Sequence, residues 1–142
     1  MLQSSRFPFS PDAGLLLMRV WFGGLMLVLH GSSKLLHFAT YKGEFIDFLG
    51  IGPTASLALA VFGEVVLAGL LVVGLFTRFA ALGLVITMAV AFFVGHGGAL
   101  QGENSGELAF LYLGAYVALL VAGAGRFSLD AWLNSRASKL PR

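Results

Sequence analysis

Residues 54–76 read TASLALAVFGEVVLAGLLVVGLF, and this stretch decides the fold class. About 20 helical residues cross the hydrocarbon core of a bilayer, and the run supplies that length with Glu64 as its one ionisable group. It shows none of the polar–apolar alternation of a membrane β-strand. Ala60 and Ala68 lie one helical turn on either side of Glu64, marking its face as a place of close helix approach.

Three further apolar runs follow the same rule. The first covers about 13–36, broken by Arg19, His30 and Lys34; the third covers 79–95 and carries no charge; the fourth covers about 108–124. Polar or glycine-rich text separates them: Thr40–Pro53, the tight Thr77-Arg78 break, and the loop opened by His96-Gly97-Gly98. A polar leader, 1–12, and a tail, 128–142, flank the four spans, and the tail reads as an amphipathic helix from Ser128 to about Ala137. The first run is too long for a signal peptide, carries Arg19 and lacks an A-x-A exit, so it reads as a retained span. The expected fold is all-α, an integral membrane four-helix bundle.

Composition agrees. The chain has 142 residues, 58% of them hydrophobic and 11% charged, with a mean hydropathy of +0.88. Soluble domains are about 45–50% apolar with Gly included and about 25% charged. A soluble enzyme, a disordered tail and a secreted disulfide scaffold are therefore excluded. With no cysteine there is no disulfide, Cys-X-X-Cys pair, thiolate metal site or c-type haem attachment. The net charge of +2 does not point to nucleic acid, because the basic residues are scattered rather than gathered in a patch.

Their distribution instead gives an orientation. With four spans, both termini and the Thr77-Arg78 turn share a side holding Arg6, Arg78, Arg126, Arg136, Lys139 and Arg142; Lys34 and Lys42 lie on the other. The positive-inside rule places the first side in the cytoplasm. A faint internal echo pairs His30-Gly31 with His96-Gly97 at the ends of the first and third runs. This is the pattern of two hairpins in a parallel repeat.

Charges within the runs form the candidate site, because a charge at the bilayer centre costs about 2.5–3.5 kcal/mol on insertion scales and such groups usually pair. Arg19, His30 and Lys34 fall on one face of an ideal first helix. Arg19 lies about 9 Å from its start. Lys34 is also placed to snorkel. Glu64 is too deep to reach water; it is either a neutral structural hydrogen-bonding group or a carboxylate paired with Arg19 or a histidine, and proton handling suits it. Topology gathers His30, Lys34, His96 and Glu107 at the outer mouth. Glu107 also suits a helix N-terminus. Tyr112 and Tyr116, one turn apart, either pack in the core or donate into a polar pocket, and Gly114, Ala118 and Ala122 form a small-residue packing ridge. Two histidines with carboxylates admit a divalent metal or a bis-histidine haem, but no metal-ligand spacing is present and no cofactor motif is evident.

These residues resemble the DoxX family of small four-helix bacterial membrane proteins. The resemblance is carried by Leu17-Met18-Arg19, His30-Gly31 with Lys34-Leu35, Leu49-Gly50-Ile51-Gly52, Glu64, Gly74 through Ala81, Ala91-Phe92-Phe93 with His96-Gly97, and Glu107 with Leu111-Tyr112-Leu113. The closing Gly123-Ala124-Gly125-Arg126-Phe127-Ser128-Leu129-Asp130 is especially family-like; there Asp130 reads as a helix cap or an ion-pair partner near Arg78 and Arg126. The family is named for a subunit of membrane thiosulfate:quinone oxidoreductase. The resemblance thus implies an inner-membrane, redox-associated protein handling a quinone or a small sulfur compound, with a redox partner protein supplying what the chain lacks. On that expectation Glu64, His30 and His96 are the catalytic candidates, and Arg19, Lys34, Glu107 and Tyr112 the substrate-binding ones. A non-catalytic accessory subunit and a small transporter or proton-conducting oligomer are the alternative readings.

Overall fold

The computed structural model describes residues 10–138; Arg6, Lys139, Arg142 and most of the expected leader lie outside them. Six helices follow in order: α1 Pro11–Leu36, α2 Phe38–Tyr41, α3 Pro53–Val73, α4 Thr77–Gly95, α5 Glu107–Ala122 and α6 Leu129–Ala137. No strand occurs among the described residues. Helices α1, α3 and α4 are long and apolar enough to span a membrane, and α5 is a shorter apolar helix of 16 residues. At 1.5 Å per residue α5 extends about 24 Å. The architecture is a membrane helical bundle.

Local chemistry sets the boundaries. Helix α1 begins at Pro11 rather than near Ala13 because Ser10 caps it, its hydroxyl accepting from the Ala13 N–H at 3.3 Å, and proline suits the first helical position. Helix α3 stops at Val73, short of Phe76, because Gly74 turns left-handed at φ +72°. The Leu75 N–H then returns to the Leu70 carbonyl at 3.0 Å and the Gly74 N–H to that of Leu71 at 3.2 Å, a Schellman closure.

The core lies where α1, α3, α4 and α5 meet. Met26 of α1, Leu67 and Leu71 of α3, Leu84 of α4, and Tyr116 and Leu119 of α5 are all buried. Glycines let α1 and α3 approach: a Cβ on Gly23 would stand 3.2 Å from the Ala68 carbonyl oxygen, and one on Gly31 2.5 Å from that of Glu64. The expected Gly114 ridge packs on nothing within the chain. Gly114, Ala118 and Ala122 are exposed because α5 turns its other face, with Tyr112, Ala115 and Tyr116, to the bundle. The tail helix α6 has no buried residue.

Three long helices contain wide π-type turns, at Arg19–Gly23 and Met26–Gly31 in α1, Phe62–Leu67 in α3 and Ala91–Gly95 in α4. Such turns recur at functional sites, and these lie beside Arg19, His30, Glu64 and His96.

Candidate functional site

The two ends of the bundle use their few polar groups differently. At the end holding the α3–α4 turn, charges satisfy main-chain groups. Arg19 is fully buried, and its guanidinium donates to the carbonyls of Leu71 at 3.3 Å, Val72 at 3.1 Å and Phe127 at 2.5 Å. Two of these belong to the last turn of α3, whose carbonyls have no partner within their own helix. Asp130 accepts from the N–H groups of Phe76 at 2.8 Å and Thr77 at 2.9 Å, capping α4 rather than its own helix or an arginine. Burial works to raise the Asp130 carboxyl, but the hydrogen bonds from Thr77 and Phe76, with the Arg19 charge, outweigh it and hold it below the ordinary carboxylate range. Asp12 likewise accepts from the Arg126 N–H at 2.9 Å.

At the opposite end the groups face cavities. Glu64, buried in the wide turn of α3, accepts from the Lys34 ammonium at 2.6 Å, the one ion pair among the described residues. The expected link from Glu64 to Arg19 is not formed. Arg19 is committed to the far end of α3, two turns beyond Glu64, where unpaired carbonyls take up its donors.

A groove of about 440 Å³ opens beside this pair between α3 and α4. Leu59, Leu67, Ile86 and Val90 give it apolar walls, Phe45 and Phe48 of the α2–α3 loop roof it, and Ser56, Thr87 and His96 add polar groups. The loop is tied down by its own bonds. Asp47 accepts from the Gly52 N–H at 2.8 Å, and the Phe48 N–H donates to the Ser56 hydroxyl at 2.9 Å. His96 stands with Nδ1 3.2 Å from the Asn104 side-chain oxygen.

A second cavity, about 370 Å³, is lined by His30, Ser33, Lys34, Tyr41, Glu44 and Phe45 among others. His30 reaches it and also meets Tyr112 edge-on at 5.9 Å between ring centroids. The wide turns of α1 take in extra residues and rotate His30 towards α5, off the single face that an ideal helix gives it with Arg19.

The structure therefore brings Lys34, Glu64 and His96 to one groove and sets His30 beside Lys34 in the adjoining cavity. Arg19, Glu107 and Tyr112 line neither. Tyr112 is buried between Phe22, His30 and Tyr116, and Glu107 is exposed at the start of α5. Tyr116, which donates to the Phe22 carbonyl at 3.1 Å, is a core residue. Tyr41, Glu44, Phe45, Ser56 and Thr87 also line the cavities without being among the expected site residues. Tyr41, at the end of α2, and Glu44 and Phe45 in the loop after it stand in the one connecting stretch dense in both charge and aromatic residues, a readable signal. No three His, Asp or Glu side chains converge among the described residues.

The family model described as DoxX matches residues 14–97, a segment holding Arg19, His30, Lys34, Glu64 and His96. The chain belongs to the DoxX family. An uncharacterized protein of Haemophilus influenzae is 36% identical to it, over 74% of this chain and 80% of that relative. No solved structure matches the chain. The DoxX match thus covers α1, α3 and α4, the helices that build the groove.

Proposed function

We propose that this DoxX-family protein is a redox-associated membrane subunit whose α3–α4 groove takes a quinone-like ring. The observation that carries the reading is a groove with mainly apolar walls, open between two membrane helices, that holds one partly buried ion pair and one imidazole. Quinone chemistry needs an apolar slot, a donor to a ring oxygen and a group that takes or gives a proton. His96 serves as the donor, Glu64 as the proton group and Lys34 as the cation that positions the carboxylate, while His30 belongs to the adjoining polar cavity. Electrons come from a partner protein or a directly bound donor such as a small sulfur compound. The protein sits in the bacterial inner membrane with the end bearing Arg78, Arg126 and Arg136 in the cytoplasm, by the asymmetry of its basic residues.

A second reading has its own support. An ion pair whose carboxylate is buried also fixes helix register, the role of an accessory subunit. Quinone analysis of the mildly solubilised, purified protein separates the two. The redox reading expects bound quinone and electron transfer to added quinone. It also expects Glu64→Gln to fold normally yet turn over about 100-fold more slowly. A quinone-free protein inactive with quinones, in which Glu64→Gln still assembles with its partners, sinks it in favour of the accessory role.

A further inference from the structure

The second cavity differs from the groove in chemistry. Ser33, His30, Tyr41 and Glu44 give it a hydroxyl, an imidazole, a phenol and a carboxylate, and Tyr41 and Glu44 are exposed at the end of the bundle. Lys34 and Phe45 are the two residues common to its lining and that of the groove. The Lys34 side chain is 25% exposed and that of Glu64 only 6%, so the accessible part of the pair is the lysine.

The lysine's donors add an independent argument. An ammonium has three N–H donors, and Lys34 spends one on Glu64, with no second acceptor in reach among the described residues. Unmet donors in an apolar setting are costly. The groove walls beside Lys34 are mainly aliphatic and aromatic, whereas the second cavity offers oxygen and nitrogen acceptors and room for several waters.

We propose that this cavity is the aqueous port of the groove: it holds water continuous with the solvent at the α2–α3 loop, and Lys34 is the partition between that water and the groove. The proposal rests on reading the groove as the site, where it gives the Glu64 proton a route to water that passes the ammonium. The charged and titratable groups that line the two cavities with that ammonium are His30 on its own helix, Glu64 on α3, Tyr41 and Glu44 on the loop side, and His96 just past the end of α4. Lys34 acts here as a positioning residue.

Because the chain has no cysteine, single cysteines report on this cleanly. Ser33→Cys places a thiol in the port and Ala60→Cys one in the groove. Both are assayed in nanodiscs, which expose both membrane faces, against a cationic and an anionic methanethiosulfonate, with a neutral lipid-soluble maleimide as the control for intact thiols. A permanent charge pays several kcal/mol to cross hydrocarbon, so the Ser33 site is expected to react with both charged reagents about tenfold or more faster than the Ala60 site. Adding Lys34→Ala is expected to accelerate the Ala60 site about tenfold with reagents of both signs, which separates an opened passage from a lost charge. If the buried carboxylate left alone prevents folding, Lys34→Ala combined with Glu64→Gln removes both charges and serves the same comparison. A Ser33 site reached only by the maleimide overturns the port. An Ala60 site equally reactive with and without Lys34 overturns the partition. The expected labelling in a protein without quinone turnover sinks the functional reading and leaves the port standing.

Discussion

Two residues at the same end of the bundle show how single charges are used without forming a site. Arg19 is fully buried, and its donors go to main-chain oxygens of Leu71, Val72 and Phe127. Arg19→Met strands those acceptors and removes the charge that faces Asp130, so a loss of about 3 kcal/mol is expected. Unfolding of the detergent-solubilised protein measures it. Arg19→Lys is expected to recover little, since one compact ammonium does not span three carbonyls held in a fork. Asp130 supplies a pH dependence whose sign follows from its lowered carboxyl. A carboxyl held lower in the folded state than its ordinary value of 3.8 contributes stability above that pH and loses it as pH falls through the folded-state value. Wild type is therefore expected to be more stable than Asp130→Asn at pH 7, with the gap narrowing below about pH 4. A gap that stays constant from pH 7 to pH 3 contradicts the capping role of the carboxylate.

Between helices, distance of approach is the controlling quantity. Gly31 faces the Glu64 carbonyl so closely that a Cβ there would stand 2.5 Å from the oxygen, and a backbone atom inside a helix has no room to yield. Gly31→Ala is expected to push α1 from α3, lengthen the Lys34–Glu64 pair and cost about 1–3 kcal/mol. Gly114→Ala, with nothing within 4 Å, is expected to change little. Melting temperatures of the two variants in one detergent test the contrast. The same quantity explains what was legible beforehand. The four apolar runs could be read because a bilayer imposes length and apolarity on each helix separately. The Schellman stop at Gly74 and the start at Pro11 carried weaker local signals that move a boundary by two or three residues. The partner of Glu64 was not legible, since pairing depends on the register of α1 against α3, and the wide turns of both helices shift that register away from ideal periodicity. Nor was the role of Arg19, because its acceptors are carbonyls, which every residue has.

For the molecule as a whole, scarcity of charge divides labour between the two ends. At one end Asp12, Arg19 and Asp130 satisfy helix termini and connecting turns, holding the N-terminal part of α1, the α3–α4 turn and the chain after α5 together. At the other, Lys34, Glu64, His30 and His96 face cavities. Arg78, Arg126 and Arg136 all lie at or beyond the first end, and under the proposed orientation the positive-inside rule makes them its determinants. These contributions are largely separable: the structural bond of Arg126 uses its main-chain N–H, the Arg78 guanidinium reaches the Val121 carbonyl only at 3.5 Å, and Arg136 stacks on Trp132 of its own exposed helix. Replacing the three arginines by glutamine and adding lysines to the 99–104 loop is thus expected to shift part of the population to the inverted orientation while leaving the fold of the purified protein unchanged. Reporters at the C-terminus and in the 99–104 loop read the orientation, and thermal unfolding reads the fold. A wild-type C-terminus found outside overturns the assignment of the cytoplasmic face. An altered chain that melts well below wild type shows instead that these arginine side chains hold the structure as well as orient it.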